Sequence, residues 1–291
     1  MIDLKTKPKN GFWPQLRRLP RAWIGAVLVL FVTLVAIFAP AIAPADPLKQ
    51  FRDGLTAQGV PLPPGGQFPL GTDHLGRDML SRMVYGARVS LSISFIANIT
   101  AAILGTVVGL LAGYYAGITD TILMRITDVL LAFPAILLAL GLGSVLRPSI
   151  PVVTLILTII TWPALARLVR SQVLTIRERA YVESARCAGA RDFHIIFRHI
   201  LPQIISITIV WGTLAFATTV LVESSLSFLG VGVPLPAASW GNMIAEGQSR
   251  YRIAPWMILI PTAGIMITTL GFNLLGDAIR DALDPRTSMR G

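Results

Sequence analysis

Three groupings of side chains have types and spacings that could do chemistry. The first is His74 between Asp73 and Asp78, in the run Gly71-Thr72-Asp73-His74-Leu75-Gly76-Arg77-Asp78. One imidazole and two carboxylates could touch a cation, but a closed site usually takes four ligands. Capping of turns or short helices by the two aspartates is the plainer reading, and no metal site is expected. The second is Glu223, at the end of an apolar stretch. At membrane depth an ionisable side chain is a candidate pathway or gate residue; at the interface it is a solvated cap. The third is the segment 181–203, YVESARCAGARDFHIIFRHILPQ, rich in Arg and His. Catalysis is not expected from any of them. The sequence has no H-E-x-x-H, no paired intramembrane aspartates and no His inside an expected span. A single Cys187 excludes a disulfide framework and a Cys-based metal cluster. The four lysines, at 5, 7, 9 and 49, never follow a glycine, so the nucleotide-binding G-x-x-x-x-G-K-[ST] is absent.

Any such site must be positioned by apolar elements. Of the 291 residues, 54% are hydrophobic and 14% charged, against about 25% charged in soluble domains. The mean hydropathy is +0.68. That excludes a soluble enzyme and a disordered chain and points to a polytopic membrane protein. A span needs about 20 apolar residues. Six intervals free of Asp, Glu, Lys and Arg qualify: 22–45, 89–119, 129–146, 148–166, 200–222 and 253–276. A seventh, 224–245, is dense in Gly and Pro and reads as a loop or re-entrant turn. The fold class is therefore all-α, with six transmembrane helices. The expected organisation is a tail 1–21, helix 1 over 22–43, an extracytoplasmic loop 44–87, a core 88–282 with a coupling segment 175–203, and a tail 283–291.

Basic residues orient the spans. The N-terminal tail has Lys5, Lys7, Lys9, Arg17, Arg18 and Arg21; the segment between spans four and five has Arg167, Arg170, Arg177, Arg179, Arg186, Arg191 and Arg198. Arg125 and the tail residues Arg280, Arg286 and Arg290 fall on the same face. Both termini are expected to be cytoplasmic. The N-terminus looks like a signal peptide, but its apolar stretch exceeds the usual 7–15 residues, so an uncleaved anchor is expected.

Gly105, Gly109, Gly113 and Gly117 recur every four residues, which predicts a glycine ridge for close helix packing. Pro134 and Pro163 are expected to kink or break spans three and four. Arg125 and Asp128 are spaced to pair.

In the basic segment, Val182, Ala185, Gly189, Phe193, Ile196 and Ile200 follow a helical period. Arg179 and Glu183 are spaced to pair on the other face. Gly189 is expected to cap a first helix, Asp192 to start a second, and Pro202 to mark the start of span five. Such a helix could lie on lipid headgroups or dock into a soluble partner's groove.

Glu183-Ser184-Ala185, then Gly189, then His199-Ile200-Leu201-Pro202 resembles the EAA motif of permease subunits of binding-protein-dependent ABC importers. Ser184 stands for the first Ala and His199 for the Ile. The run 71–78, Ser227-Phe228-Leu229-Gly230-Val231-Gly232, Trp240-Gly241 and the block 273–285 resemble, in order, the C-type permease of dipeptide, oligopeptide and nickel importers. The resemblance implies the type I importer permease fold. It implies that Glu183, Ser184, Ala185, Gly189 and Ala190 form a coupling helix docked on an ATPase. It further implies a second permease subunit, two cytoplasmic P-loop ATPases that bind ATP-Mg, and an extracytoplasmic binding protein, in the bacterial cytoplasmic (inner) membrane. No cofactor is expected in this chain and no nucleic acid among its partners. Peptide is the default substrate, with nickel or another small solute as the alternative. A lone secondary transporter would be expected to show two related halves, and none are evident.

Overall fold

The computed structural model describes residues 12–283. Of the expected tails 1–21 and 283–291, residues 1–11 and 284–291, with Lys5, Lys7, Lys9, Arg286 and Arg290, lie outside them. Among the described residues every regular element is helical, and pairing of extended chain is confined to isolated bridges.

The chain opens with α1 (Phe12–Arg18), α2 (Pro20–Ile37) and a short α3 (Ala39–Ile42). Pro20 starts α2 because the first turn needs no proline N–H. Next comes α4 (Met79–Tyr115), then α5 (Gly117–Ala132) and α6 (Ala135–Val145), bent 91° from each other at the break before Pro134. Helix α7 (Ile150–Arg177) leads into α8 (Ala180–Cys187) and α9 (Asp192–Ile195). A π-helical turn (Ile196–Ile200) joins α9 to α10 (Leu201–Phe228), followed by α11 (Trp240–Gly247) and α12 (Trp256–Leu283). Helices α2, α4, α7, the run Asp192–Phe228 and α12 are each long and apolar enough to cross a membrane. The bent pair α5–α6 adds a sixth if it counts as one span.

Helix α4 begins at Met79, so the last residues of the expected loop 44–87 are already helical. A charge-free run marks the part of a helix that suits lipid, not the helix itself. The true start is set by Asp78, whose carboxylate accepts from the Ser81 N–H at 2.7 Å. The two prolines behave differently. Pro134 follows a complete break, whereas α7 runs through the buried Pro163 without one. The interval 224–245 makes no span: its first residues finish α10, and a turn then leads to α11.

Helices α4 and α7 pack along the glycine ridge. A Cβ at Gly105 would stand 2.8 Å from the Trp162 carbonyl oxygen, one at Gly109 2.6 Å from that of Ala166, and one at Gly113 2.7 Å from Val173 Cβ. No side chain fits in those gaps. Gly117, the fourth expected member, is not part of the ridge. It has open space around it and φ +56°, because α4 ends at Tyr115 and the chain turns there. Helix α5 is then tied to α7 by ion pairs. Arg170 Nη2 donates to Asp120 Oδ2 at 2.5 Å, and Arg167 Nη2 to Asp128 Oδ1 at 2.5 Å. Asp128 thus pairs across helices, not with Arg125 as its spacing suggested. At the chain's two described ends, Arg21 pairs with Asp281.

The connector between α3 and α4 is folded onto α11 and α12. Thr72 Oγ1 accepts from the Leu62 N–H (2.7 Å) and donates to the Gly54 carbonyl (2.6 Å), and Trp256 Nε1 donates to the Thr72 carbonyl (3.0 Å). Beneath it lies a buried ion cluster. Asp73 accepts from Arg77 Nε at 2.5 Å and from Arg82 Nη1; Glu246 of α11 accepts from Arg77 Nη2 at 3.0 Å and from Arg82 Nη1 at 2.5 Å. The side chains of Asp73 and Arg82 are each 1% exposed. Burial alone would raise the Asp73 carboxyl, but the Arg82 and Arg77 guanidiniums and the Arg77 and Leu75 N–H groups hold it below its ordinary value of 3.8.

Two outcomes follow from this packing. Gly109→Leu should lower stability in detergent by about 1–3 kcal/mol through overpacking. Gly141→Ala on α6, with nothing within 4 Å, should cost nothing; thermal unfolding of both variants checks this. The ion cluster contributes stability above the ordinary carboxylate pKa and loses it as pH falls through the depressed value. Pepsin should therefore cut the connector only well below pH 3.8. Arg82→Met, which leaves an excess buried carboxylate, should destabilise by about 3–5 kcal/mol and expose the connector at higher pH.

Candidate functional site

The basic segment folds as a helix, a glycine turn and a second helix. Helix α8 ends in a paired hydrogen-bond cap. The Gly189 N–H bonds to the Arg186 carbonyl at 3.0 Å and the Ala190 N–H to the Ala185 carbonyl at 3.1 Å. Gly189 has φ +81°, the left-handed conformation this cap requires and glycine adopts without strain. Asp192, expected as the next N-cap, is instead the first residue of α9, after an extended Arg191. Its carboxylate is occupied from α4, where Tyr114 Oη donates to Asp192 Oδ1 at 2.7 Å.

The inner face of this hairpin joins an apolar cluster with the ends of three long helices. Val182, Ile195 and Ile200 are fully buried with Val169 and Val173 of α7, Tyr114 of α4 and Ile204 of α10. Arg177 Nη1 also donates to the Gly113 carbonyl at 3.1 Å, and Gln203 Nε2 donates to Tyr181 Oη at 2.5 Å. The outer face is open: Glu183, Ser184 and Gly189 are exposed, while Ala185 and Ala190 are half-buried. The ion pairs of the described residues do not include Arg179 with Glu183.

Beyond Gly189 the expected period holds at Ile196 and Ile200, which are buried, and fails at Phe193. Ile195 points inward, and Phe193 is 70% exposed, packed on the exposed Phe197 with ring centroids 4.2 Å apart. Pro202 stands in the first turn of α10, as expected, and a π-helical turn carries the chain into it without a break. The Leu201 N–H reaches back five residues to the Ile196 carbonyl. That π-helical turn makes room for a proline in a continuous run.

Glu223 is fully buried, so it is no solvated cap. Ser227 Oγ donates to it at 2.9 Å and Ser224 Oγ at 3.4 Å. Ser227 Oγ in turn accepts from the Val233 N–H at 3.1 Å. A nearby cavity of about 360 Å³ lies between α6, α7 and α10, lined in part by Ala135, Thr161, Trp211, Thr218 and Val222.

His74 approaches Asp73 and Glu246 closely enough to suggest a metal triad. The donor set does not fit one. Both carboxylates are neutralised by Arg77 and Arg82, and a cation would have to displace guanidinium groups. Sequence reading missed Glu246 and Tyr114. Glu246 lies 164 residues from Arg82 and Tyr114 lies 78 from Asp192, so no local spacing announces either contact.

Two family descriptions match the chain. Residues 105–289 match "binding-protein-dependent transport system inner membrane component", and residues 9–64 match "N-terminal TM domain of oligopeptide transport permease C". The dipeptide transport system permease protein DppC of Alkalihalophilus pseudofirmus is 40% identical over 279 residues, 96% of this chain and 90% of that protein. The glutathione transport system permease protein GsiD of Escherichia coli O6:K15:H31 is 43% identical over 284 residues, 98% and 92% of the two chains. Among solved structures, the inward-facing MetNI methionine ABC transporter matches with a TM-score of 0.58 at 19% identity, covering 71% of this chain and 98% of that one. That match concerns the fold alone. On the family match and the near-full-length relatives, this chain belongs to the binding-protein-dependent transport system inner-membrane components, the non-catalytic membrane permeases of ABC transporters.

Proposed function

We propose that this chain is one of the two permease subunits of an ATP-driven peptide importer in the bacterial cytoplasmic (inner) membrane. It spans the membrane six times, with α5–α6 counted as one bent span and both termini cytoplasmic. An extracytoplasmic binding protein delivers the peptide. A second permease supplies the other half of the pathway, and two cytoplasmic P-loop ATPases bind ATP-Mg. The peptide reading is supported by relatives named for dipeptide and glutathione transport.

One observation carries the coupling role. Helix α8 exposes Glu183 and Ser184, and the turn after it exposes Gly189, while the inner residue Val182 is packed with α4, α7 and α10. A partner that moves α8 therefore moves the ends of three membrane helices. As the ATPases close, the coupling helices approach each other and the pathway opens outward. The cavity between α6, α7 and α10 is this subunit's share of that pathway. Glu223 acts behind the gate, holding the end of α10 to the following turn through Ser227.

Extraction in mild detergent should recover the chain with two P-loop ATPases and a second six-span subunit. A chain that runs alone, even with a non-hydrolysable ATP analogue, overturns the importer reading. Gly189→Val forces a β-branched residue into the left-handed region at about 1–2 kcal/mol, about 5- to 30-fold in the population of the native turn. Energised uptake and ATPase co-purification should fall together by that order while membrane insertion persists. Gly189→Asn, which tolerates that conformation, should retain most of both, and Glu183→Ala should lower co-purification alongside uptake.

A further inference from the structure

A second and larger cavity, about 940 Å³, lies between α2, α4, α10 and α12, on the other side of α10 from the first. Its mouth is apolar: Phe95, Ile99 and Ile209, all exposed, stand around it, and the buried Phe216 and Leu91 lie deeper. Two of its hydroxyls are turned back on their own helices, and a third, Thr208, meets Thr106 of α4 at 3.3 Å. Thr213 Oγ1 donates to the Ile209 carbonyl at 2.8 Å and Ser92 Oγ to the Val89 carbonyl at 3.0 Å. Asn98 donates to the Gly212 carbonyl at 2.8 Å, and its Oδ1 is itself buried. Toward a ligand the Thr213 and Ser92 hydroxyls can only accept, and Asn98 Oδ1 is a buried acceptor without a partner among the described residues.

One charge lines this cavity, Arg88. The ion pairs of the described residues do not include it. Arg88 is the last charged residue before the charge-free stretch 89–119, so it stands where α4 enters the apolar layer from the connector side. From Arg88 to Ala102, the far lining residue on α4, the helix rises about 21 Å. Half of a bilayer's apolar core is about 15 Å deep.

We propose that this cavity binds an anionic phospholipid, with the phosphate on the Arg88 guanidinium and one acyl chain along the apolar wall. Arginine matches a phosphate in charge and in its forked geometry. A peptide suits the cavity poorly, because most of its N–H and C=O groups would face Leu91, Phe95, Ile99, Ile209 and Phe216 without partners. The inference needs only that the chain spans a membrane and does not rest on peptide import.

The test uses the full chain with whatever subunits accompany it, stripped of lipid in detergent. It is titrated with micelles of phosphatidylglycerol or phosphatidylcholine, or with tetra-alanine. Thermal unfolding is followed, and retained lipid is counted by native mass spectrometry. Phosphatidylglycerol should raise Tm and stay bound at one per chain, and phosphatidylcholine should do neither. Arg88→Gln should weaken phosphatidylglycerol binding about tenfold, Arg88→Lys should keep most of it, and Ala102→Phe should shorten the cavity and reduce retention. Equal effects of the two lipids, full retention in Arg88→Gln, or protection by tetra-alanine in place of lipid would each overturn the proposal. If Arg88→Gln does not fold, the contrast between the two lipids on the unaltered chain still decides. No readout involves uptake, so failure of the peptide reading leaves this result standing.

Discussion

Helices α4 and α7 can lie against each other only because Gly105, Gly109 and Gly113 carry no Cβ. Between membrane helices there is no hydrophobic gain from contact, since lipid tails are as apolar as the side chains they replace. Close backbone approach and dispersion must hold the pair. Much else is referred to that pair. The bent α5–α6 unit is moored to α7 through Asp120 and Asp128, and the inner face of α8 packs where α4 and α7 end. A bulky residue in the ridge would shift the seat of the coupling segment as well as the helices.

The two ends of the bundle use polarity differently. At the connector end, a four-residue ion cluster is sunk beneath folded chain, with Asp73 and Arg82 almost without solvent contact. Such a cluster holds a fixed geometry because each charge would be costly alone. At the α8 end, the apolar inner face is buried and the polar outer face is left open. The first arrangement suits a rigid cover and the second a surface that waits for a partner. Glu223 belongs with the first: it is buried among serines that tie α10 to the turn after it.

Local signals were legible wherever one residue's chemistry decides the backbone. Gly189 as a helix cap could be read from its neighbours, and so could the break at Pro134. Phe193 was misread. A helical period was carried through a glycine turn; Ile196 and Ile200 keep to it, but Phe193 is turned outward onto Phe197. Gly117 shows the limit of spacing alone: four residues in register looked like one ridge, but the helix stops before the last of them.

By itself, the order of residues determined that the chain is membrane-embedded and all-helical, because a bilayer demands long apolar stretches and leaves few ways to satisfy backbone groups within them. It also determined the motif that suggested a coupling role, since that motif is contiguous. Only the tertiary structure decided that Glu223 is enclosed, that Asp73 and Arg82 share a cluster with Glu246, and that Asp128 pairs with Arg167. These contacts join residues far apart in the chain. Which distant groups meet is set by how whole helices pack, and no local spacing records it.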